Sequence, residues 1–251
     1  TEIYTLSLHD ALPIYYVVSY AIKYWLGLKM KHKIIALVAL KESGKSTFFS
    51  EAKKIHNVKE IMLAARLKKA CSEAFGVPEE HFSNQNHKEK PAIQNAHERI
   101  HGTVLTSKRL SVILEVFGAE EYYDTVKGHI GTPLPTPRKM AQYIGTEVLR
   151  SIDPDIHIKK AIEDLDKNKI NIVTDVRFFN ELEAFANDSF DTVSVHIIRP
   201  DKTPEDLEAA HQSERDVLEV GKRCDIVIKN EDFEGYKEEV REALERILEK
   251  W

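Results

Sequence analysis

The chain contains little cysteine. Only two cysteines, Cys71 and Cys224, occur among its 251 residues, and neither belongs to a C-x-x-C pair. This usage argues against a disulfide framework or a cysteine-built zinc site, and it is typical of a reducing compartment. We therefore expect a cytoplasmic protein.

An excess of positive charge, a long apolar run and an internal repeat are also missing. The formal net charge of -5 gives no general reason to bind nucleic acid or a membrane surface, so an anionic ligand must be held by local basic groups. The apolar stretch over 15–29 carries Lys23 and falls short of the roughly 20 apolar residues that a bilayer span needs. A composition of 42% hydrophobic and 31% charged residues is that of an ordinary globular protein.

The first 29 residues differ from the rest. Residues 1–14, TEIYTLSLHDALPI, resemble the translation of a sequencing adapter, whereas Met30 opens MKHKIIALVAL, a natural start for a protein that begins on a buried strand. We predict that 1–29 is a non-native extension and that 30–251 forms the folded domain. The alternative is a genuine amphipathic N-terminal arm.

From Met30 onward, apolar runs typical of strands alternate with amphipathic helical stretches. Strands are predicted at 33–39, 60–64, 170–176, 192–200 and 224–230, and helices at 45–56, 65–76, 138–150, 155–168, 179–188 and 234–250. This alternation predicts a three-layer α/β fold, with a mainly parallel five-stranded sheet and helices on both faces. Residues 78–135 are polar, rich in histidine and closed by three prolines, which favours an inserted, mostly helical substrate-binding lobe.

Residues 39–47, ALKESGKST, nearly match the phosphate-binding pattern G-x-x-x-x-G-K-[ST], with Ala39 in place of the first glycine. The motif lies between a predicted strand and helix, where backbone N–H groups and the helix dipole favour an anion. Gly44 lets the backbone approach phosphate, Lys45 supplies a charge and Ser46 a hydroxyl for Mg²⁺. Alanine costs about 1–2 kcal/mol if its position must be left-handed. We expect nucleotide binding to survive, within a P-loop NTPase fold.

Two further groups of charged residues could face a phosphate. Asp175 ends a buried strand, where ligands bind in open α/β sheets, and could bind Mg²⁺ or act as a base. Arg177 could clamp a phosphate, although the two residues could also pair with each other or cap a helix. Arg138 and Lys139 lie at the start of a predicted helix, where their positive charges are unfavourable beside the positive end of the helix dipole. Their position indicates either an anionic ligand or a solvated basic face.

Together these segments resemble the deoxynucleoside monophosphate kinases of tailed bacteriophages, in the P-loop nucleoside monophosphate kinase group. The resemblance runs from Met30 to the C-terminus and rests on LKESGKST, LAARLKKACSEAFGV, HKEKP, TPRKMAQYIGTE, DVRFFNE, HIIRP, HQSE and CDIVIKNE. The discriminating combination is RKMAQYIGTE with DVRFFNE. The resemblance implies that ATP and Mg²⁺ serve to phosphorylate a deoxynucleoside 5′-monophosphate in the host cytoplasm. It implies a monomer or homodimer without a nucleic-acid polymer or membrane as partner.

The resemblance also implies roles for individual residues. ATP would be bound by Lys41, Glu42, Ser43, Gly44, Lys45, Ser46, Thr47 and, near the adenine, Asn230. The acceptor phosphate would be bound by Lys68, Lys88 and Arg138, and the nucleoside by Gln142, Gly145 and Thr146. The catalytic residues would be Lys45, Arg138, Asp175 and Arg177, with Ser46 and Asp175 as ligands of Mg²⁺. Arg199 would be a further contact, and Ser213 and Glu214 would lie on a lid-like segment. His157 stands where tryptophan is expected, which leaves the base preference open.

Three other interpretations stay open. HERIH, from His97 to His101, matches the zinc-protease pattern H-E-x-x-H, with Glu98 as base and Glu115, Glu120 or Glu121 as a third ligand. The residues that flank the motif are polar and would not form a buried helical face, and Gly102 would end the helix directly after His101. Both features argue against a zinc site of this kind. The chain could instead be a P-loop ATPase or switch module without a small-molecule acceptor, or a degenerate nucleotide binder, for which Ala39 is the hint.

Overall fold

The computed structural model describes residues 31–92, 103–200 and 212–251. Its five described strands are β1 (His32–Ala39), β2 (Val58–Ile61), β3 (Ile170–Val176), β4 (Phe190–Ile198) and β5 (Ile226–Lys229). They form one sheet in the order β2-β3-β1-β4-β5, and every neighbouring pair is parallel. The predicted α/β P-loop NTPase fold is confirmed.

The helices connect these strands in chain order. They are α1 (Lys45–Ile55), α2 (Ala65–Phe75), α3 (Gln85–Lys88), α4 (Ser107–Phe117), α5 (Tyr123–Val126), α6 (Pro137–Tyr143), α7 (Arg150–Ile152), α8 (Ile156–Glu163), α9 (Phe179–Phe185), α10 (Gln212–Gly221) and α11 (Phe233–Glu249). Short 3₁₀ turns lie at Glu79–Phe82, Glu120–Tyr122 and Lys127–His129, and a π-helical segment at Ile144–Leu149 joins α6 to α7.

The central strand β1 is buried on both faces. Ile35 and Leu37 pack with α1 and α11 on one side, whereas Ile34 and Val38 pack with α8, α9 and α10 on the other. Because successive side chains of a strand point to opposite faces, a strand covered on both sides reads as a continuous apolar run. This three-layer packing explains the continuous apolar sequence of β1 from Ile34 to Ala39.

A third hydrophobic cluster lies outside the two layers. It joins α2, α4, α6 and the π-helical segment through side chains such as Leu67, Leu110, Leu114, Met140 and Val148. Helices on both sides of the 78–135 segment therefore contribute to this core. The domain boundaries and the substrate-binding role of the lobe stay predictions.

Several predicted element boundaries were wrong, and three of them have a clear physical reason. The strand expected at 60–64 is β2, which pairs with β3 only from Val58 to Ile61. Beyond Ile61 the backbone N–H groups of Leu63 and Ala64 donate to the carboxylate of Asp175, at 2.8 and 3.2 Å, instead of continuing the ladder. A side chain of β3 therefore ends the strand pairing.

The helix expected over 138–150 is interrupted by the π-helical segment, and the helix expected over 155–168 ends at Glu163. After Glu163 the chain turns back into β3. The Asn171 side chain holds that turn, since its amide donates to the carbonyls of Asp166 and Lys169 and its oxygen accepts from the Asp166 N–H. In the part of the chain that the structure describes, no helix is long and apolar enough to cross a bilayer.

Candidate active site

The loop between β1 and α1 closes around the side chain of Lys45. Its Nζ donates to the carbonyl oxygens of Ala39 and Leu40, at 2.9 and 2.7 Å. Gly44 precedes α1 with φ of 111°, which L side chains rarely adopt. The first turn of α1 therefore presents its N–H groups, the lysine and the exposed Ser46 at one helix N-terminus, an arrangement that favours an anion.

Two residues near the C-terminus hold this loop from behind. The Asn230 amide donates to the carbonyl of Ser43 at 3.0 Å, and the Tyr236 hydroxyl donates to that of Gly44 at 3.0 Å. A Cβ at Gly44 would lie 2.7 Å from the Tyr236 ring and 2.8 Å from the Asn230 amide. Only glycine therefore fits between the loop and the residues that support it.

The loop opens into a cleft of about 570 Å³. The cleft contains eleven of the residues to which a site role was assigned from the sequence, namely Lys41, Lys45, Ser46, Lys68, Lys88, Arg138, Gln142, Gly145, Thr146, Asp175 and Arg177. Glu42, Ser43, Gly44, Thr47 and Asn230, which were assigned to the ATP site, lie outside this lining. Elements far apart in sequence thus meet at the carboxyl ends of β1 and β3, the edge where open α/β sheets bind ligands.

Several cations face one another across this cleft. The Lys88 ammonium has its pKa lowered, first by burial and then by the positive charges of Lys41, Arg138 and Arg177. Glu89 is the carboxylate within this group, and its pKa is lowered because it accepts a hydrogen bond from Arg138 and lies near Lys88 and Lys41. Lys68 lies on α2 and also lines the cleft, and its ammonium donates a hydrogen bond to the Ser83 hydroxyl at 3.1 Å. Such a concentration of positive charge favours an anionic ligand.

Asp175 lies at the end of β3, as predicted, with both carboxylate oxygens accepting backbone N–H groups at the start of α2. It therefore joins β3 to the helix that carries Lys68. Ser46 and Asp175 both line the cleft and carry the oxygen donors that Mg²⁺ prefers. These two residues could therefore hold Mg²⁺, and Asp175 also serves the local structure through its two bonds to backbone N–H groups.

A buried carboxylate that we did not single out from the sequence lies beside Arg177. Glu181 is 3% exposed, and its Oε2 accepts the backbone N–H groups of Arg177 and Phe178 at 2.8 and 3.1 Å. Its Oε1 accepts from the Arg150 guanidinium at 2.7 Å, and that guanidinium lies 4.5 Å from the Phe178 ring centroid. Burial raises the pKa of Glu181, opposed by the N–H of Arg177 and the charge of Arg150.

His157 and Gly145 both line the cleft and contact each other. The His157 ring is 6% exposed, lies 3.2 Å from the Gly145 carbonyl through Nε2, and meets the Phe117 ring edge-on at 5.7 Å between centroids. Burial lowers the pKa of His157, so the imidazole is neutral near pH 7. Gly145 itself packs against Leu67 of α2.

The remaining assignments fall in different places. The Arg199 guanidinium donates to the Glu42 carbonyl at 3.0 Å, on the phosphate-loop side. Ser213 and Glu214 lie in the first turn of α10. The HERIH segment, His97–His101, lies outside the described residues, so the zinc-protease interpretation is not tested.

Sequence reasoning also missed Arg150, Glu181 and Tyr236. Phe178 and Glu181 both stand within DVRFFNE, the motif used to assign Asp175 and Arg177. An acid four residues after Arg177, at the start of a predicted helix, was the available signal for a backbone-binding carboxylate. Tyr236 carried no such signal, because its contact with Gly44 spans 192 residues.

The parallel sheet and the loop that follows β1 are those of an α/β protein with a P-loop NTPase fold. Among solved structures, the chain is similar to dephospho-CoA kinase from Campylobacter jejuni, with a TM-score of 0.40 and 16% sequence identity over 86% of this chain and 97% of that chain. A likeness this weak supports no conclusion about activity. No protein-family model and no curated protein matches the chain.

Proposed function

We propose that the protein is a deoxynucleoside monophosphate kinase, which transfers the γ-phosphoryl group of ATP to the 5′-phosphate of a deoxynucleoside monophosphate. The observation that carries the proposal is a single cleft that joins Lys45 and Ser46 to Lys68, Lys88 and Arg138. A phosphate-binding loop that only bound or hydrolysed ATP would not need a second group of cations facing it.

Phosphoryl transfer requires of the protein mainly positioning and charge neutralisation. Lys45 would exchange its bonds to the Ala39 and Leu40 carbonyls for the β- and γ-phosphate oxygens. Ser46 and Asp175 would hold Mg²⁺, which would supply positive charge against the phosphates. Arg177 would stabilise the charge that develops on the transferred group, as electrostatic catalysis requires.

The acceptor would lie against the α2 and α6 side of the cleft. Arg138 would exchange its Glu89 partner for the acceptor phosphate, and Lys68 and Lys88 would add charge to that position. The nucleoside would extend toward Gln142, Gly145 and Thr146, with the neutral ring of His157 behind them. The acceptor oxygen would then point at the phosphate loop, as in-line transfer requires.

The test is a coupled assay of ADP release with a panel of deoxynucleoside and ribonucleoside monophosphates, using protein that starts at Met30. We expect ADP release that depends on an added deoxynucleoside monophosphate. Lys45→Ala should reduce it by at least about 10²-fold with the fold intact by circular dichroism, whereas Lys53→Ala, an exposed lysine of the same helix, should not.

ADP release that is independent of any acceptor would contradict the kinase proposal and favour an ATPase or switch module. Absence of ATP binding in a calorimetric titration would favour a degenerate binder. Wild-type turnover in Lys45→Ala would refute the assignment of the loop as the ATP site.

A further inference from the structure

Glu181 occupies an unusual position for a buried acid. It lines the cleft at the start of α9 although its side chain is buried, and its two oxygens bind different elements. Oε2 accepts the N–H groups of Arg177 and Phe178, which form the turn between β3 and α9. Oε1 accepts from Arg150, which follows the π-helical segment. One carboxylate therefore connects two walls of the cleft.

Both connected walls carry residues of the proposed reaction. The β3–α9 turn carries Arg177, proposed to meet the transferring phosphoryl group. The segment that ends at Arg150 carries Gln142, Gly145 and Thr146, proposed to meet the nucleoside. The Arg150 guanidinium also stacks on Phe178, so the turn is fixed through its backbone and through a ring.

The cost of burying this carboxylate argues for a specific purpose. A buried charge is expensive unless it is paired and hydrogen-bonded, and an acid in the first turn of a helix needs only to accept the N–H that precedes the helix, as Glu181 does from Phe178. Glu183, on the same helix, shows the ordinary alternative, since it is exposed and reaches Arg223 at 3.4 Å. Glu181 instead has every oxygen directed at cleft-lining residues.

We propose that Glu181 is a positioning residue for phosphoryl transfer: it sets the Arg177 side chain by holding the Arg177–Phe178 backbone, and Arg150 anchors that carboxylate. This inference rests on the proposed function. Because an interaction made in the transition state affects kcat more than KM, displacing Arg177 should lower kcat by a larger factor than it raises the KM for ATP. A displacement of about 1 Å can cost on the order of 10²-fold in rate.

The experiment compares Glu181→Ala, Glu181→Gln, Arg177→Ala and the double variant Glu181→Ala/Arg177→Ala, with Glu183→Gln as the matched control. We expect Glu181→Ala to lower kcat on the order of 10²-fold per folded molecule. The double variant should be no slower than Arg177→Ala alone. Glu181→Gln keeps an oxygen for the two N–H groups and should recover part of the loss, and Glu183→Gln should match wild type.

A purely structural role gives a different result. It would lower the melting temperature of Glu181→Ala while kcat per folded molecule stayed unchanged, or the losses of Glu181→Ala and Arg177→Ala would multiply in the double variant. Either result overturns the proposal. If Glu181→Ala does not fold, the same cycle is measured with Glu181→Gln, which should lower kcat and cause no further loss on the Arg177→Ala background, and a wild-type kcat in Glu181→Gln would then overturn the proposal.

Failure of the proposed function is recognised separately. If the wild type releases no acceptor-dependent ADP, the transfer reaction is refuted. The ATP affinities of the wild type, the two single variants and the double variant are then compared by calorimetric titration. The positioning role then predicts that Glu181→Ala and Arg177→Ala weaken ATP binding non-additively. Equal ATP affinity of wild type and Glu181→Ala, or no ATP binding at all, refutes the positioning role as well.

Discussion

At the scale of single residues, the phosphate loop tolerates alanine where the motif has glycine because the strained positions lie elsewhere. Ala39 is the last residue of β1, is 4% exposed and pairs with Ile197 of β4. Among the described residues, the loop positions with positive φ are Glu42, at 64°, and Gly44, at 111°. The left-handed penalty considered for Ala39 therefore does not arise, because this residue is extended.

Restoring the motif glycine should consequently weaken the protein. We expect Ala39→Gly to lower the free energy of unfolding by about 1 kcal/mol, since glycine in a strand loses more backbone entropy and removes a buried methyl group. ATP affinity should stay unchanged. The measurements are urea unfolding and calorimetric titration with ATP.

Gly44→Ala provides the contrast, because its Cβ would meet Tyr236 at 2.7 Å and should disturb the loop and ATP binding. An increase in ATP affinity on Ala39→Gly would show that the strand end limits nucleotide binding.

At the scale of elements, the π-helical segment Ile144–Leu149 is the junction of three helices. Gly145 packs against Leu67 of α2, and its carbonyl meets His157 of α8 at 3.2 Å. π-Helical turns within α-helices often occur at functional sites. The π-helical segment lines the cleft where the nucleoside is proposed to bind. Gly145 is therefore both part of this irregular backbone and the residue that packs tightly against α2.

Gly145→Ala tests that junction. Its Cβ would lie 2.8 Å from the Leu67 side chain, and forcing extra volume into a packed core costs about 1–3 kcal/mol. We expect a loss of that size in the free energy of unfolding, measured by urea unfolding. Gly128→Ala is the control, since nothing lies within 4 Å of its Cβ and no loss is expected. If the two variants have the same free energy of unfolding, α2 can shift away from the new methyl group at position 145 with little loss of stability.

At the scale of the whole molecule, two separate parts of the interior bury a histidine. His157 lines the cleft, and His196 of β4 lies against Gly221 of α10. Burial lowers the pKa of each imidazole. Both rings are therefore held neutral by the fold.

The sign of the pH dependence follows from these shifts. Below about pH 6.5 the unfolded chain binds protons on these histidines that the folded chain does not, so the free energy of unfolding falls as the pH drops from about 6.5 toward the lowered folded values. We expect urea unfolding to show this decline between pH 7.5 and 5.5, and a shallower decline in His157→Gln/His196→Gln. The same slope in both proteins would mean that other groups cause it.

Local patterns predicted most elements because each depends on neighbouring residues. The α2 helix ends at Gly76, whose φ of 66° forms a left-handed cap, and α6 begins at Thr136 and Pro137, where the Thr136 hydroxyl accepts the Lys139 N–H. The shorter β2 and the π-helical segment could not be predicted in this way. The end of β2 depends on Asp175 of β3, and the π-helical segment packs against Leu67 of α2, so both involve residues from other elements.

The sequence alone determined the phosphate loop, the strand–helix alternation and eleven of the residues that line the cleft, since backbone preferences, apolar periodicity and motif spacing are local properties. Only the tertiary structure decided that Ala39 is unstrained, that Tyr236 and Asn230 support the loop, and that Glu181 joins Arg150 to Arg177. These contacts are made between residues distant along the chain, and they exist only once packing brings the elements together.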